Sequence, residues 1–359
     1  MKLVVFGLSV SSAWGNGHAT LWRGILRALA RWGHRVVFYE RDTPFYASSR
    51  DLAHGDGYEV VIYPSFADVA ARARRDVGEA DAAIVTSYQA DAALAMEVVL
   101  GARALKVFYD LDTPVTLDLL AHEEQVPWLP KRSLAGFDLV LSFTGGPSIA
   151  ALERELGAHP VAPLYGCVDT RVHAPCVVPK TFDLSYLGTY AADRQDGVER
   201  LFLDVADALP EARLLLGGPM YPETMRRAPN VEHRSHVPPS EHPAFYGSSR
   251  LTLNLTRAPM KRIGFCPSAR LFEAAACGVP IVTDDWPGLD EFFEPEREIL
   301  IARSRDDVLR ALALTEAERA TIARRARERT LADHTAERRA ERLVTLLRNT
   351  PKRRAASAA

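Results

Sequence analysis

From Lys2 to Leu164, short apolar runs alternate with longer segments whose apolar residues return every three or four positions. The runs predict strands at Lys2–Leu8, Arg35–Glu40, Glu59–Tyr63, Ala82–Ser87, Leu105–Asp110, Leu139–Phe143 and Val161–Leu164. Continuous apolar character, rather than alternation, is the mark of strands buried on both faces. Between the first two runs, Leu21, Ile25, Leu26 and Leu29 share one helical face, which predicts a helix over His18–Arg31 that ends at Gly33. Strand and helix in alternation predict a doubly wound parallel sheet.

The rhythm breaks in "YGCVDTRVHAPCVVPKTF", where two prolines and no period read as a linker near residue 170. It restarts with a strand at Asp183–Leu187, a helix at Gly197–Ala208 and a strand at Arg213–Leu216. Shorter strands follow at Val231–His236, Leu251–Asn254, Ile281–Thr283 and Ile299–Ala302. The expected class is therefore α/β, with two Rossmann-like domains over 1–170 and 171–347. Beyond Thr315 the chain reads as helical, opened by a Thr315/Glu318 capping box, and 348–359 reads as a disordered tail.

A length of 359 residues suits two such domains. With 44 basic and 46 acidic residues the net charge is −2, which gives no electrostatic case for nucleic acid as the main partner. Glu318–Arg354 does hold twelve basic and five acidic residues, read as a solvated helix face because no membrane-type aromatic face accompanies it. The four cysteines form no CxxC pair and read as reduced thiols of a cytoplasmic protein. The apolar N-terminus imitates a signal peptide, but it leads straight into the helical pattern and reads as a first strand. No run is long enough to span a membrane.

Four features bear on chemistry. Gly15-Asn16-Gly17, with Glu40 ending the second strand, approaches a dinucleotide fingerprint. Its glycines lie seven residues past the strand, too far for the tight turn that motif needs, and Thr20 takes the third glycine's place. Asp110 and Asp112 after a strand could hold a divalent cation, but Thr113-Pro114 ends the strand that would put both on one face. His18 starts a helix, where the dipole disfavours its cationic form and suits a neutral base or donor. Finally, Glu273 sits among Ala274, Ala275, Ala276 and Cys277, between a Ser268 suited to cap the helix and Gly278 suited to end it. A glutamate there either faces solvent or has polar groups brought to it.

Three stretches together resemble the GT-B glycosyltransferases: "LYGCVDTRVHAP", "ARLFEAAACGVPIVTDDWPGLDEFFE" and "RERTLADHTAERRAERLVTLL". Within that class the likeness runs to a family-4-like subgroup related to spore-maturation glycosyltransferases, carried by Arg270, Phe272 and Glu273. The likeness covers roughly residues 160–347 and is only architectural before them. It implies that Glu273 accepts hydrogen bonds from both ribose hydroxyls of a nucleotide-sugar, and that small neighbours leave room for the nucleotide. It further implies that Arg194 and Arg270 meet the diphosphate, and that Asp284, Asp285 and Gly288 line the sugar. The pattern departs at Glu199, where a lysine is usual, at Phe265, where a first glutamate is usual, and at His173, where an aromatic is usual. Lys261 and Arg262 could stand in for the missing lysine.

The activity so implied is sugar transfer from a nucleotide-sugar donor, a UDP-sugar, to an unidentified acceptor, with no metal or other cofactor. The acceptor would meet the loops at Gly15–His18, Asp110–Asp112 and Thr144–Gly146, notably Gly15, Gly17 and Asp110. His18 or Asp112 would be the general base if the sugar inverts; the resembling families mostly retain, and retention is the expectation. The alternatives are a sugar-nucleotide epimerase of the same fold and a nucleotide-sugar-binding module without catalysis.

Overall fold

The computed structural model describes residues 1–122 and 124–353. It divides into two units: Met1–Tyr165 joined by the chain from Glu337 on, and Gly166–Ala336. The sequence predicts a boundary at 170 with the closing helices in the second domain; the division falls after Tyr165, and most of the last helix, Ala336–Asn349, goes with the first unit.

The first unit holds seven parallel strands: β1 (Lys2–Gly7), β2 (Arg35–Arg41), β3 (Glu59–Tyr63), β4 (Ala82–Thr86), β5 (Leu105–Asp110), β6 (Leu139–Ser142) and β7 (Val161–Pro163). Their order is β3-β2-β1-β4-β5-β6-β7. The second unit holds β8 (Phe182–Leu187), β9 (Leu214–Gly217), β10 (Val231–Arg234), β11 (Ser249–Asn254), β12 (Ile281–Asp284) and β13 (Leu300–Ala302), in the order β10-β9-β8-β11-β12-β13. Every strand pairing is parallel. The expected α/β class therefore holds in both units. Each sheet reverses its winding once, at β1/β4 and at β8/β11, and ligands of such sheets bind beyond the carboxyl ends of the strands at that reversal.

The apolar runs become strands because helices cover them: Val4, Phe6, Val37, Val85 and Phe108 are buried in one core, and Leu184, Leu216, Leu253 and Val282 in the other. The helix His18–Arg31 forms with the bounds its periodicity predicts and is followed by Gly33 at a φ of 79°. Thr315 and Glu318 make the expected capping box, opening the helix Glu316–Asp333.

Three expectations change. Ser268 stands at the N-terminus of the helix Ala269–Ala276 but does not cap it; its hydroxyl accepts from Arg270 Nε at 3.0 Å. The segment 166–181 lacks regular structure, yet Cys167, Val168, Asp169 and His173 are buried, and Val168 bridges to Thr335. Its first part, through His173, is packed into the second unit, while 174–181 is largely exposed. The basic stretch after Thr315 is not wholly a solvated face either, since Arg319 is buried and donates to the carbonyls of Leu312 and Leu314. Of the tail, Arg348 and Asn349 end the last helix, and 354–359 lie outside the described residues. No helix among the described residues is long and apolar enough to cross a membrane.

Candidate functional site

In the second unit, polar groups gather where β8 and β11 part. Arg270 lies in the first turn of the helix Ala269–Ala276. Its guanidinium donates to the carbonyl of Leu187, the last residue of β8, at 2.7 Å, and to that of Leu255, just past β11, at 3.1 Å. It also lies over the Tyr186 ring, 5.8 Å from the centroid. Arg194 reaches the same ring from the segment after β8, at 6.0 Å, and donates to the Thr189 carbonyl. Among the described residues neither guanidinium is paired with a carboxylate. Gly188 makes this approach possible: a Cβ there would lie 2.9 Å from Arg270 Nη1 and 2.8 Å from the Tyr186 hydroxyl.

One turn along the helix, Glu273 is 4% exposed. The question the sequence left open is thus settled toward polar partners. His173 Nε2 lies 3.8 Å from Glu273 Oε1, and His242 Nδ1 lies 3.6 Å from Oε2. The two imidazoles meet at 3.1 Å through His173 Nε2 and His242 Nδ1. Burial depresses the His173 pKa despite the attraction of Glu273. Ala274, Ala275 and Ala276 are buried, and the helix packs on Glu316–Asp333, whose Arg327 donates to the Ala276 carbonyl at 3.1 Å. The small side chains let the two helices approach closely.

The loop after β12 is tied down. Asp284 is buried and accepts from Thr256 N at 3.1 Å and Thr256 Oγ1 at 2.9 Å, with Lys261 Nζ at 3.4 Å. Burial raises its pKa, partly offset by Lys261. Lys261, on the helix Ala258–Ile263, is thus engaged by Asp284. Asp285 pairs with Arg303 at 2.7 Å. Gly288 has φ of 81°, and a Cβ on it would lie 2.3 Å from the Phe265 ring. What its missing side chain admits is that ring, held by a Phe265 N to Pro287 O bond of 2.8 Å. Glu199 accepts from Gln195 at 2.7 Å and Arg226 at 2.8 Å, so the missing lysine is replaced by a surface ion cluster.

The first unit has its own cluster at the β1/β4 reversal. His18 opens the helix after β1 and stacks on Tyr88, which follows β4, with centroids 6.2 Å apart. Its backbone N–H donates to Asn16 Oδ1 at 3.1 Å. Tyr88 OH donates to Asp112 Oδ2 at 2.8 Å, and Asp112 starts the helix Thr113–Ala121. Burial lowers the His18 pKa, against the pull of Asp112. Asp110, the last residue of β5, is 0% exposed and burial raises its pKa to about 6. Its Oδ1 accepts from Asp112 N at 3.2 Å, while Oδ2 has no partner. Gly15 has φ of 62°, and Gly17 precedes His18 in open space.

The same unit disposes of the dinucleotide alternative. Glu40 is fully buried and accepts from Ser9 Oγ at 2.9 Å, Val10 N at 2.8 Å, Ser11 N at 2.9 Å and the Ser11 hydroxyl. Its carboxylate pins the loop after β1 and is spent on that task.

The sequence placed Arg194, Arg270, Glu273, Asp284, Asp285 and Gly288 in one donor region, and His18, Asp110 and Asp112 in one acceptor region. The fold brings Arg194 beside Arg270 and Tyr88 between His18 and Asp112; Asp285 turns to Arg303 instead. Sequence reasoning missed His173 and His242 as neighbours of Glu273. They lie 69 residues apart along the chain, so no local spacing could have linked them.

Residues 194–345 match the model of a family described as Glycosyl transferase-like. No curated protein matches the chain by sequence. Among solved structures, a sucrose-phosphate synthase from Thermosynechococcus elongatus is 14% identical, with 97% of this chain and 98% of that one covered and a TM-score of 0.71. HepE of Anabaena, in complex with UDP-glucose, is 13% identical with 97% and 99% covered and a TM-score of 0.71. An α-glucosyltransferase, in complex with UDP-glucose and DNA containing an abasic site, is 12% identical, with 97% and 100% covered and a TM-score of 0.73. These likenesses establish the fold.

Proposed function

From a GT-B fold that carries a glycosyltransferase domain over residues 194–345, we propose that this chain moves a sugar from a UDP-sugar to an acceptor with retention of configuration and without a metal cofactor. One observation carries the reading. Arg194 and Arg270, unpaired with any carboxylate, stand together at the winding reversal of the second sheet. Two fixed cations at that place are a site for a dianionic group.

The chemistry follows from where charge develops. As the anomeric C–O bond breaks, negative charge gathers on the departing diphosphate. Guanidiniums already held by backbone carbonyls meet that charge without reorganising. Glu273 offers two acceptor oxygens to the two ribose hydroxyls, and the turn from Asp284 to Gly288 shapes the sugar end through its backbone. UDP as the leaving group is supported by the UDP-glucose complexes of HepE and the α-glucosyltransferase. In the first unit His18, Asp110 and Asp112, with the Gly15–Gly17 turn, would receive the acceptor. A cytoplasmic setting suits the four free thiols.

The test is thermal unfolding of the wild type, Glu273→Ala and Arg194→Ala with UDP, dTDP, GDP and NAD in turn. A ligand at a hundred times its dissociation constant stabilises the native state by ~2.7 kcal/mol. UDP should shift the wild type and neither variant. Stabilisation by NAD alone, or by no nucleotide, would overturn the proposal.

A further inference from the structure

The polar cluster around Glu273 has a property that nucleotide binding does not call for. Three ligand-type side chains, His173, His242 and Glu273, present one atom each within 4.8 Å of one another. The two imidazole nitrogens lie 3.1 Å apart, near the roughly 3.3 Å between ligands around a tetrahedral zinc with ~2.0–2.1 Å bonds, and each faces its own oxygen of Glu273, His173 Nε2 at 3.8 Å from Oε1 and His242 Nδ1 at 3.6 Å from Oε2. Two imidazoles and one carboxylate are also a ligand set that divalent zinc accepts, with a fourth position left for water.

The hydrogen bonding orients the ligands. His242 Nε2 lies 3.2 Å from the Val237 carbonyl, which can only accept, so the ring's proton is held on Nε2. Its Nδ1 lone pair is then turned toward His173 and Glu273. A carbonyl behind a ligating imidazole is the usual outer support of a metal site. His173 Nδ1, by contrast, is buried without a partner, so this ligand lacks outer support and the site should be weaker than a structural zinc centre. The His242 side chain keeps 12% exposure, while those of His173 and Glu273 keep 1% and 5%, so an ion would enter past His242.

We propose that His173, His242 and Glu273 form a zinc-binding site whose occupation excludes the donor nucleotide, because both ligands claim the Glu273 carboxylate. The exclusion rests on the reading of Glu273 given above; the metal site does not. Zinc would act here as an inhibitor, in keeping with a transfer reaction that needs no metal.

The experiment uses the full chain and two probes. Cobalt(II) added to the wild type should give the intense visible d–d bands of a low-coordinate site at one equivalent. Zinc should displace it. His242→Asn and His173→Asn should weaken zinc binding by more than ~100-fold, beyond the ~10–100-fold that loss of an outer partner brings. UDP titrated with one equivalent of zinc should bind the wild type more weakly, and His242→Asn should not respond. Absence of the cobalt bands from folded wild type overturns the site, whatever UDP does. Cobalt bands with UDP affinity unmoved by zinc overturn the exclusion. Cobalt bands without any UDP binding sustain the site and fell the donor reading instead.

Discussion

Asp110 allows a prediction whose sign and size come directly from its surroundings. It is fully buried, Oδ2 has no hydrogen-bond partner, and its pKa rises from the usual 3.8 to about 6 because burial penalises the charged form. The native state thus holds this proton more tightly than the unfolded chain. Stability that is complete below pH 3.8 is lost as pH rises through about 6. The displacement corresponds to ~3 kcal/mol, at ~1.4 kcal/mol for each tenfold in proton affinity. Asp110→Asn keeps the shape and cannot ionise. Its stability relative to wild type should therefore rise by most of that, ~2 kcal/mol, between pH 4 and pH 7, whatever its offset at pH 4. Urea unfolding followed by tryptophan fluorescence suits the measurement. Trp14, Trp22, Trp32 and Trp128 lie in the first unit, and Trp22 packs edge-on against Tyr109, next to Asp110. A stability difference that stays constant across that range would refute the reasoning, because it would mean the carboxylate is ionised and compensated in the native state.

Further outcomes follow from single positions. Gly288→Ala forces a Cβ into the Phe265 ring at a positive φ, and should destabilise the second unit by ~2–4 kcal/mol; Gly17→Ala, in open space at a φ of −65°, should leave the melting curve in place. Glu40→Leu removes both acceptor oxygens and leaves the buried N–H groups of Val10 and Ser11 stranded. A loss of ~2–4 kcal/mol is expected in chemical denaturation, and an unchanged midpoint would contradict the pinning of the loop after β1. Of the four cysteines only Cys176 is exposed, and burial pushes the Cys277 thiol up. A disulfide reagent should titrate one thiol quickly in the folded protein and four after unfolding.

The hydrophobic pattern by itself determined the strands. Lys2, Arg35, Glu59, Leu105 and Leu139 start runs whose continuous apolar character suits a strand covered on both faces, and those strands form within a residue or two of the expected ends. Local chemistry likewise determined the Thr315/Glu318 box and the turn at Gly278, because a cap or a left-handed residue acts within one helical turn. The site was legible only where a motif lies on one element: Arg270 and Glu273 share a helix face, so their neighbourhood followed from spacing.

Tertiary structure decided the rest. Glu40 could be a ribose ligand or a loop anchor from sequence alone; the β1/β2 pairing, which sets Gly7 against Glu40, delivers the carboxylate to the donors of Ser9–Ser11. Asp110 carries an ordinary carboxyl in sequence, and its proton affinity exists only once the sheet and Thr113–Ala121 exclude water around it. The grouping of His173, His242 and Glu273 joins an irregular segment, the short helix His242–Gly247 and the helix Ala269–Ala276, which are far apart along the chain. Spacing along a chain specifies contacts within one element, where geometry is fixed by local dihedrals. Contacts between elements depend on how the buried faces fit, and that information is spread over the whole domain.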